Sequence, residues 1–423
     1  MNFSFELPTV VRFGRGAVRE NAKLLALGKR AFVVTGANSG RKSGALGDAL
    51  CALSAEGVAY EVYEGIGSNP NVSACRTLGQ RARAFGADFI VGIGGGSPLD
   101  AAKAIAVFAA NEIDEQRLFQ YGYENGVLPI AAIPTTSGTG SEVTPWSIMT
   151  DDTAKTKRSF GGTLTFPRVA LLDPTYTEKL PRAITFDTGM DAFQHCFESY
   201  LSLRTTPATD ALCLEALKRF SHCMQPLAEG KLEGIREELM LISMLGGMAI
   251  AQTGTTLMHA MGYPLTYFHD VPHGRANSLV LPAYVAALDA YRPERLREAL
   301  NALGVSKDKL CDFARMHTGD CTLHPDEAAL QFYAEQTSRK DPMATTGVPG
   351  DAASIYRLYR IVFPDGQSRL DRLVFPCGRC RGGFFLAGWL GVPLTKPFPV
   401  NTIQVLQITC CITRNMELTH RKG

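Results

Sequence analysis

The sequence predicts an α/β domain built on a parallel sheet, followed by an all-helical domain. Two observations lead there. Over the first third of the chain, short apolar runs of strand character alternate with helix-like segments, the pattern of β–α units whose strands pair in parallel under covering helices. From about Thr185 the texture changes to long amphipathic segments with apolar residues at helical spacing, such as Leu241, Leu245 and Met248, which read as core positions.

Taken in order, residues 9–13 form a short opening strand and 31–35 (AFVVT) a compact β run. Residues 43–56 are helical in composition, 59–63 extended, 74–85 helical, and 89–93 (FIVGI) a buried strand. The alternation continues through strands at 128–133 and 169–172. Beyond a boundary near 181–185, helices are expected over 208–223 and 235–251. The division expected is residues 1–183 for the α/β domain, 184–363 for the helical domain, and 364–423 for an atypical tail whose role the sequence does not disclose.

Composition narrows the function. The chain has 423 residues, room for two or three domains, with 45% hydrophobic and 20% charged side chains, as in soluble globular proteins. Its 43 basic and 41 acidic residues leave a net charge of +2, so there is no electrostatic case for nucleic acid or an anionic membrane, and a small molecule is the expected partner. The opening MNFSFELPTVV lacks a basic segment followed by an apolar one, and no apolar run is long enough to span a bilayer, which makes a cytoplasmic location the expectation. Eleven scattered cysteines fit reduced thiols. The pair Cys377 and Cys380 has zinc-like spacing, but a closed zinc site needs four ligands and no second pair stands nearby.

Three stretches carry chemistry. Gly94, Gly95, Gly96 and Ser97 follow strand 89–93 and lead into PLDAAKAIAVFAA, whose Pro98 and alanines mark a helix start. Free backbone N–H groups at such a turn suit a pyrophosphate, although GGGS is not GxGxxG and fits a tight turn equally well. After strand 128–133 comes PTTSGTGSE (residues 134–142), rich in hydroxyls and glycines, suited to a loop against which a ring or ribose lies, or simply to a polar loop. The third stretch is richest in imidazole. Three of the eight histidines, His259, His269 and His273, fall within fifteen positions, and His195 stands four residues after Asp191. An i,i+4 pair on a helix presents both side chains on one face, able to grip one ion. With His259 and His273 that makes one carboxylate and three imidazoles, a set suited to Fe²⁺ or Zn²⁺ rather than magnesium or calcium. Taken singly, each of these residues is equally an ordinary partnered polar group.

GGGSPLDAAKAIA, PTTSGTGSEVTP, TGMDAFQHCFESY, and HAMGYPLT followed by PHGRANSLVLP stand in the order and spacing of the iron-dependent (group III) alcohol dehydrogenase family, which the chain resembles over residues 5–363. The resemblance implies a dehydroquinate synthase-like architecture: an N-terminal dinucleotide-binding domain, a helical C-terminal domain, and an active site in the cleft between them. It implies a metal held by Asp191, His195, His259 and His273, Fe²⁺ first and Zn²⁺ as the alternative. Cofactor contacts are implied at Gly95, Gly96, Ser97, Asp100, Thr135, Thr136, Thr139 and Lys157. His269 matches no ligand position and reads as a cleft residue without a role. A small alcohol or aldehyde is the implied substrate and a homodimer the implied assembly.

The chain departs from the family at two places. Many members have a second histidine four residues after the third ligand, often assigned to proton transfer; here Tyr263 stands there, with an ordinary phenol pKa of about 10. Tyr263 is therefore the candidate catalytic side chain, with water as the other proton route. Members that favour NAD often have an acidic residue just after the first strand, to bond the ribose 2′-hydroxyl and repel a 2′-phosphate. This chain has Gly36 at that place, with Ser39, Arg41 and Lys42 close by, so NADP is expected in preference to NAD, unless the two bases are only a solvated turn. The rival readings are a glycerol-type polyol dehydrogenase, a dehydroquinate synthase-like enzyme, and an inactive nucleotide-binding protein. The first two need a more polar pocket than residues 138–145 and the segment around His259 suggest, and four intact ligand positions weigh against the third.

Overall fold

The computed structural model describes residues 2–120, 122–153, 156–319 and 321–364, together with the backbone of two short strands further on. In chain order the strands are β1 (Val10–Phe13), β2 (Arg30–Gly36), β3 (Ala59–Ile66), β4 (Phe89–Gly94), β5 (Ile130–Pro134), β6 (Ser147–Asp151), β7 (Thr156–Phe160) and β8 (Val169–Leu172). Six of them make one sheet in the order β1-β8-β5-β4-β2-β3, with every neighbouring pair parallel. The central strands β4, β5 and β8 are buried at every residue, which is why they read as unbroken apolar runs; the edge strands β1 and β3 are half-exposed. β6 and β7 form a separate antiparallel hairpin. The last two strands, β9 (Val374–Pro376) and β10 (Phe384–Leu386), also pair antiparallel. The rest of the tail, including the Cys377 and Cys380 zinc reading, lies outside the described residues.

Helices α1 (Ala17–Glu20), α2 (Ala22–Leu25), α3 (Ser39–Ser43) and α4 (Ala45–Ala55) precede β3, and α5 (Val72–Phe85) and α6 (Gly96–Ala110) flank β4. Leu46, Ala49 and Leu53 of α4 pack on one face of the sheet, and Leu78 of α5 with Ile105 of α6 on the other. The Asn71 side chain starts α5 by accepting the amides of Ser73 and Ala74. Among the described residues nine helices follow: α7 (Arg182–Leu201), α8 (Pro207–Glu229), α9 (Arg236–Thr253), α10 (Leu257–His269), α11 (His273–Tyr291), α12 (Pro293–Leu303), α13 (Lys307–Thr318), α14 (Glu327–Ser338) and α15 (Ala352–Val362). They share one core, to which Phe193, Phe220, Leu281, Tyr284 and Tyr359 contribute. Among the described residues no single helix is long and apolar enough to cross a membrane; α9 and α10 are bent by 107° at their junction.

Two features place the site. In the sheet β2 leads on to β3 on one side and β4 to β5 on the other, so the connections diverge and open a crevice at the carboxyl ends of β2 and β4. Arg236 of α9 reaches back to the segment that joins sheet to helices, donating to the Thr177 carbonyl at 2.5 Å, the Leu180 carbonyl at 2.9 Å and the Thr185 hydroxyl at 2.9 Å. This guanidinium ties α9 to the joining segment and to the first turn of α7.

Candidate active site

The crevice opens into a cavity of about 640 Å³ lined from both sides. The sheet side contributes Gly96, Ser97, Asp100, Thr139 and Lys157, and the helical side Asp191, His195, His259, Tyr263 and His273. Residues far apart in the chain thus meet in one space.

Asp191 and His195 lie one turn apart on α7, His259 in the first turn of α10, and His273 at the start of α11. The three imidazole Nε2 atoms face one carboxylate oxygen: Asp191 Oδ1 is 3.9 Å from His195, 3.5 Å from His259 and 3.8 Å from His273. The rings of His195 and His259 stack at 4.6 Å, and that of His273 stands edge-on to His259 at 5.1 Å. Asp191, His195 and His259 are almost fully buried. Among the described residues Asp191 Oδ1 and His259 Nε2 have no hydrogen-bond partner, and a buried polar atom without one is costly unless something else binds it. Ligand atoms of Asp191, His195 and His259 lie within 4.8 Å of one another, a spacing a single ion spans. The residues therefore fit a divalent metal.

The distal nitrogens of two imidazoles are held. His195 Nδ1 pairs with the Gly138 carbonyl at 3.2 Å, which leaves its Nε2 directed at Asp191. His259 Nδ1 pairs with Glu198, a wholly buried carboxylate that also accepts from the Thr256 hydroxyl at 2.5 Å and from the amides of Met258 at 2.8 Å and His259 at 3.3 Å. Such outer partners fix a ligand's tautomer and raise its basicity. Burial pushes Asp191 up, but the imidazoles around it outweigh burial and hold it well below the usual carboxylate range. Burial lowers His259, yet Glu198 and Asp191 prevail and raise it to about 9. Burial takes His273 down to about 3. The cluster accordingly welcomes a positive charge at its centre.

On the sheet side α6 begins at Gly96, with only Gly95 between it and the end of β4. A Cβ on Gly96 would come within 2.6 Å of Thr139 Cγ2, so the turn and the 134–142 loop approach as closely as backbone allows. Thr135 donates its amide to the Gly94 carbonyl at 2.9 Å and its hydroxyl is buried without a partner among the described residues; Thr136 stands against Gly95. Asp100 is occupied internally, accepting from the Ser141 hydroxyl at 2.6 Å and the Ile148 amide at 2.9 Å, which ties α6 to the hairpin. Lys157 of the hairpin donates to Asn69 Oδ1 at 2.7 Å. Gly36 and Ser39 stand at the end of β2, where Arg41 is already paired with both Glu64 oxygens at 2.5 Å.

The structure changes the reading of several residues. Tyr263 faces the cavity with its ring stacked on His273 at 5.4 Å and 13°. Burial, with the nearby carboxylates, raises its phenol above the usual range, which works against its giving up a proton near neutral pH. His269 is not among the cavity's lining residues; its Nε2 meets the Tyr333 hydroxyl at 2.9 Å. Segment 138–145 does carry one acidic side chain, Glu142, which is buried and raised by burial to about 7, and cations reach the cavity from elsewhere, at Lys157, Arg204 and Lys340. The sequence reading passed over Glu198 and Asn69. Glu198 continues the spacing of Asp191 and His195 as i+7 on the same helix face, a usable signal. Asn69 has a left-handed backbone, φ 60°, just before Pro70, and its amide donates to Ser97 Oγ at 3.3 Å.

The iron-containing alcohol dehydrogenase family model matches residues 8–174, and the model of the C-terminal region of Fe-containing alcohol dehydrogenases matches residues 185–321. The chain is 36% identical over 286 residues to the sulfoacetaldehyde reductase of Bilophila wadsworthia, covering 67% of this chain and 74% of that protein. It is 33% identical over 331 residues to the 1,3-propanediol dehydrogenase of Citrobacter freundii, covering 76% and 84%. An iron-containing alcohol dehydrogenase from Thermotoga maritima superposes with a TM-score of 0.79 at 36% identity, covering 86% of this chain and 99% of that one.

Proposed function

Since this chain belongs to the iron-containing alcohol dehydrogenase family, we propose that it is a metal-dependent oxidoreductase interconverting short alcohols with their aldehydes or ketones, with NADP preferred over NAD. The observation that carries the proposal is the pair of buried, partnerless ligand atoms, Asp191 Oδ1 and His259 Nε2, inside a cavity shared with the glycine turn of α6. Asp191, His195, His259 and His273 would hold the metal, Fe²⁺ or in its place Zn²⁺. When bound, the ion supplies Lewis-acid polarisation of the substrate oxygen and the nicotinamide supplies the hydride acceptor or donor.

The chain's own groups do the rest. Glu198 and the Gly138 carbonyl keep two imidazoles turned with Nε2 inward. The amides of Gly96 and Ser97, free at the start of α6, are placed for phosphate, with Lys157 and Asn69 beside them. Thr139 lines the cavity and offers a contact to the cofactor, whereas Thr135 is buried and is not among the lining residues. The Tyr263 ring walls the cavity next to His273, where it orients substrate, while water carries the proton. The NADP preference rests on Gly36, which offers no carboxylate at the end of β2, and on the Ser39 hydroxyl and exposed Lys42 close by. Arg41 adds to this only where a 2′-phosphate displaces Glu64 from it. The described cysteines are all unpaired, as a cytoplasmic location would have it, and a homodimer completes the proposal.

The test measures metal content and NADPH-linked aldehyde reduction on one preparation, before and after chelation and after adding back Fe²⁺ or Zn²⁺. Activity that disappears with the metal and returns with one ion supports the proposal. Protein that binds no metal, or turns over no aldehyde or alcohol when loaded, refutes it.

A further inference from the structure

The cavity presents three cations that have no carboxylate partner among the described residues: Lys157, Arg204 and Lys340. The other two arginines on its wall are engaged, Arg158 with Asp151 at 2.7 Å and Arg339 loosely with Glu335 at 3.8 Å. The cavity's carboxylates do not balance the three. Asp100 is spent on Ser141 and the Ile148 amide, Asp191 is enclosed by imidazoles, and exposed Asp341 makes no ion pair with Lys340 beside it.

Lys340 is the informative one. It stands at the entry to the short helical turn Asp341–Thr345, with its Nζ 4.4 Å from the centre of the Tyr263 ring. Tyr263 in turn lies flat against His273. One aromatic ring therefore separates a half-buried ammonium from a metal-ligand position. The ring face offsets part of the cost of holding that charge away from water, but a cation–π contact is no substitute for a counter-ion. Burial, with the like charge of Lys157, brings Lys340 down to about 8, which leaves it mainly charged at neutral pH. Lys157 is tied to Asn69 beside the glycine turn and so belongs with the cofactor phosphates. Lys340 has no such attachment among the described residues and lies against the ring of Tyr263, which also packs on His273.

We propose, building on the oxidoreductase reading, that Lys340, with Arg204 nearby in the same cavity, recognises a negative charge on the substrate. The class is then a short aldehyde or alcohol bearing a carboxylate or sulfonate. Its reacting carbon lies at the Asp191 cluster and its anion reaches Lys340 along the edge of Tyr263. The two contacts between those ends, 4.4 Å from Lys340 Nζ to the Tyr263 ring and 5.4 Å from that ring to His273, keep them within reach of a short-chain substrate.

The test compares reduction of sulfoacetaldehyde and succinic semialdehyde with that of propanal and butanal by the metal-loaded enzyme, in wild type, Lys340→Met and Lys340→Arg. The expected result is a wild-type kcat/KM at least tenfold higher for the charged aldehydes. Lys340→Met should lose at least tenfold on those, mainly through KM, and less than twofold on the neutral pair; Lys340→Arg should keep most of the preference, which shows that the charge and not the fold is at issue. A wild type that reduces the neutral aldehydes as well as the charged ones overturns this inference and leaves the oxidoreductase reading standing, whereas no turnover of any of the four sinks that reading itself. A Lys340→Met enzyme whose defect is a raised KM for NADPH assigns the lysine to the cofactor phosphates and overturns the inference too.

Discussion

Replacing Glu198 with glutamine changes one atom and should weaken the metal site without dismantling the fold. Glu198 Oε1 accepts three hydrogen bonds, from Thr256, Met258 and His259, and Oε2 accepts the fourth from His259 Nδ1. A glutamine keeps the three on its carbonyl oxygen but turns an NH₂ toward Nδ1. The imidazole can meet that donor only by moving its own proton to Nε2, the buried nitrogen directed at Asp191, and a protonated Nε2 cannot bind a metal. Losing an outer partner of this kind costs about 10- to 100-fold in metal affinity, or about 1.4–2.8 kcal/mol. The metal-free protein, with three of four bonds intact, should lose only about 1 kcal/mol. Competition against a chromophoric chelator at fixed pH gives the first quantity, and denaturant unfolding of the stripped protein the second. An affinity within threefold of wild type would show that Glu198 does not set the tautomer of His259, and would leave that imidazole doubtful as a ligand.

Three further outcomes follow from the same geometry. Gly36→Asp should lower the NADP-to-NAD ratio of kcat/KM at least tenfold; the new Cβ falls 2.8 Å from the Ser39 hydroxyl, which can rotate away, and an unchanged ratio counts against the cofactor reading. Tyr263→Phe should cost less than tenfold in kcat and leave the pH profile of kcat/KM where it was, because burial keeps the phenol protonated; a shifted basic limb would make Tyr263 the proton carrier after all. Glu142, buried near Lys103, is raised by burial to about 7. A carboxyl whose folded pKa exceeds its unfolded value favours folding most below the unfolded value, and that advantage is lost as pH climbs through the folded one. Stability should therefore fall by up to about 3 kcal/mol between roughly pH 4.5 and 8, and Glu142→Gln should flatten this dependence in thermal melts.

The sheet was legible because its central strands are buried on both faces and so appear as plain apolar runs; β8 matches residues 169–172, and β4 and β2 extend their expected spans by one or two residues. The hairpin of β6 and β7 was not. Its sequences, SIMTD and TKRSF, hold no apolar run, and the structure buries only a few of their side chains, Met149 and Phe160 among them. The first turn of α5, at Val72 and Ser73, was missed because its start depends on the Asn71 cap rather than on apolar periodicity. In the site, Asp191 and His195 announce themselves by spacing, whereas Lys340 sits in SRKDP, which reads as a solvated charge run. Only tertiary packing carries it to the ring of Tyr263. Arg41 shows the converse: a base near the end of β2 looks available in sequence, and Glu64, in register with Thr35 on the neighbouring strand, has already taken it.

The hydrogen bond from His195 to the Gly138 carbonyl also bears on how such a protein can change over generations. Gly138 belongs to the loop beside the glycine turn, and a Cβ there would press within 2.9 Å of Thr188 on α7. A larger residue at 138 would lift the loop off that helix and take with it the carbonyl that orients His195, a proposed metal ligand. The two halves of the cleft are thus not interchangeable modules. On the proposed reading, a substitution that retunes the 134–142 loop would therefore also reach His195, whereas the end of β2, around Gly36 and Ser39, lies away from the Gly138–His195 contact.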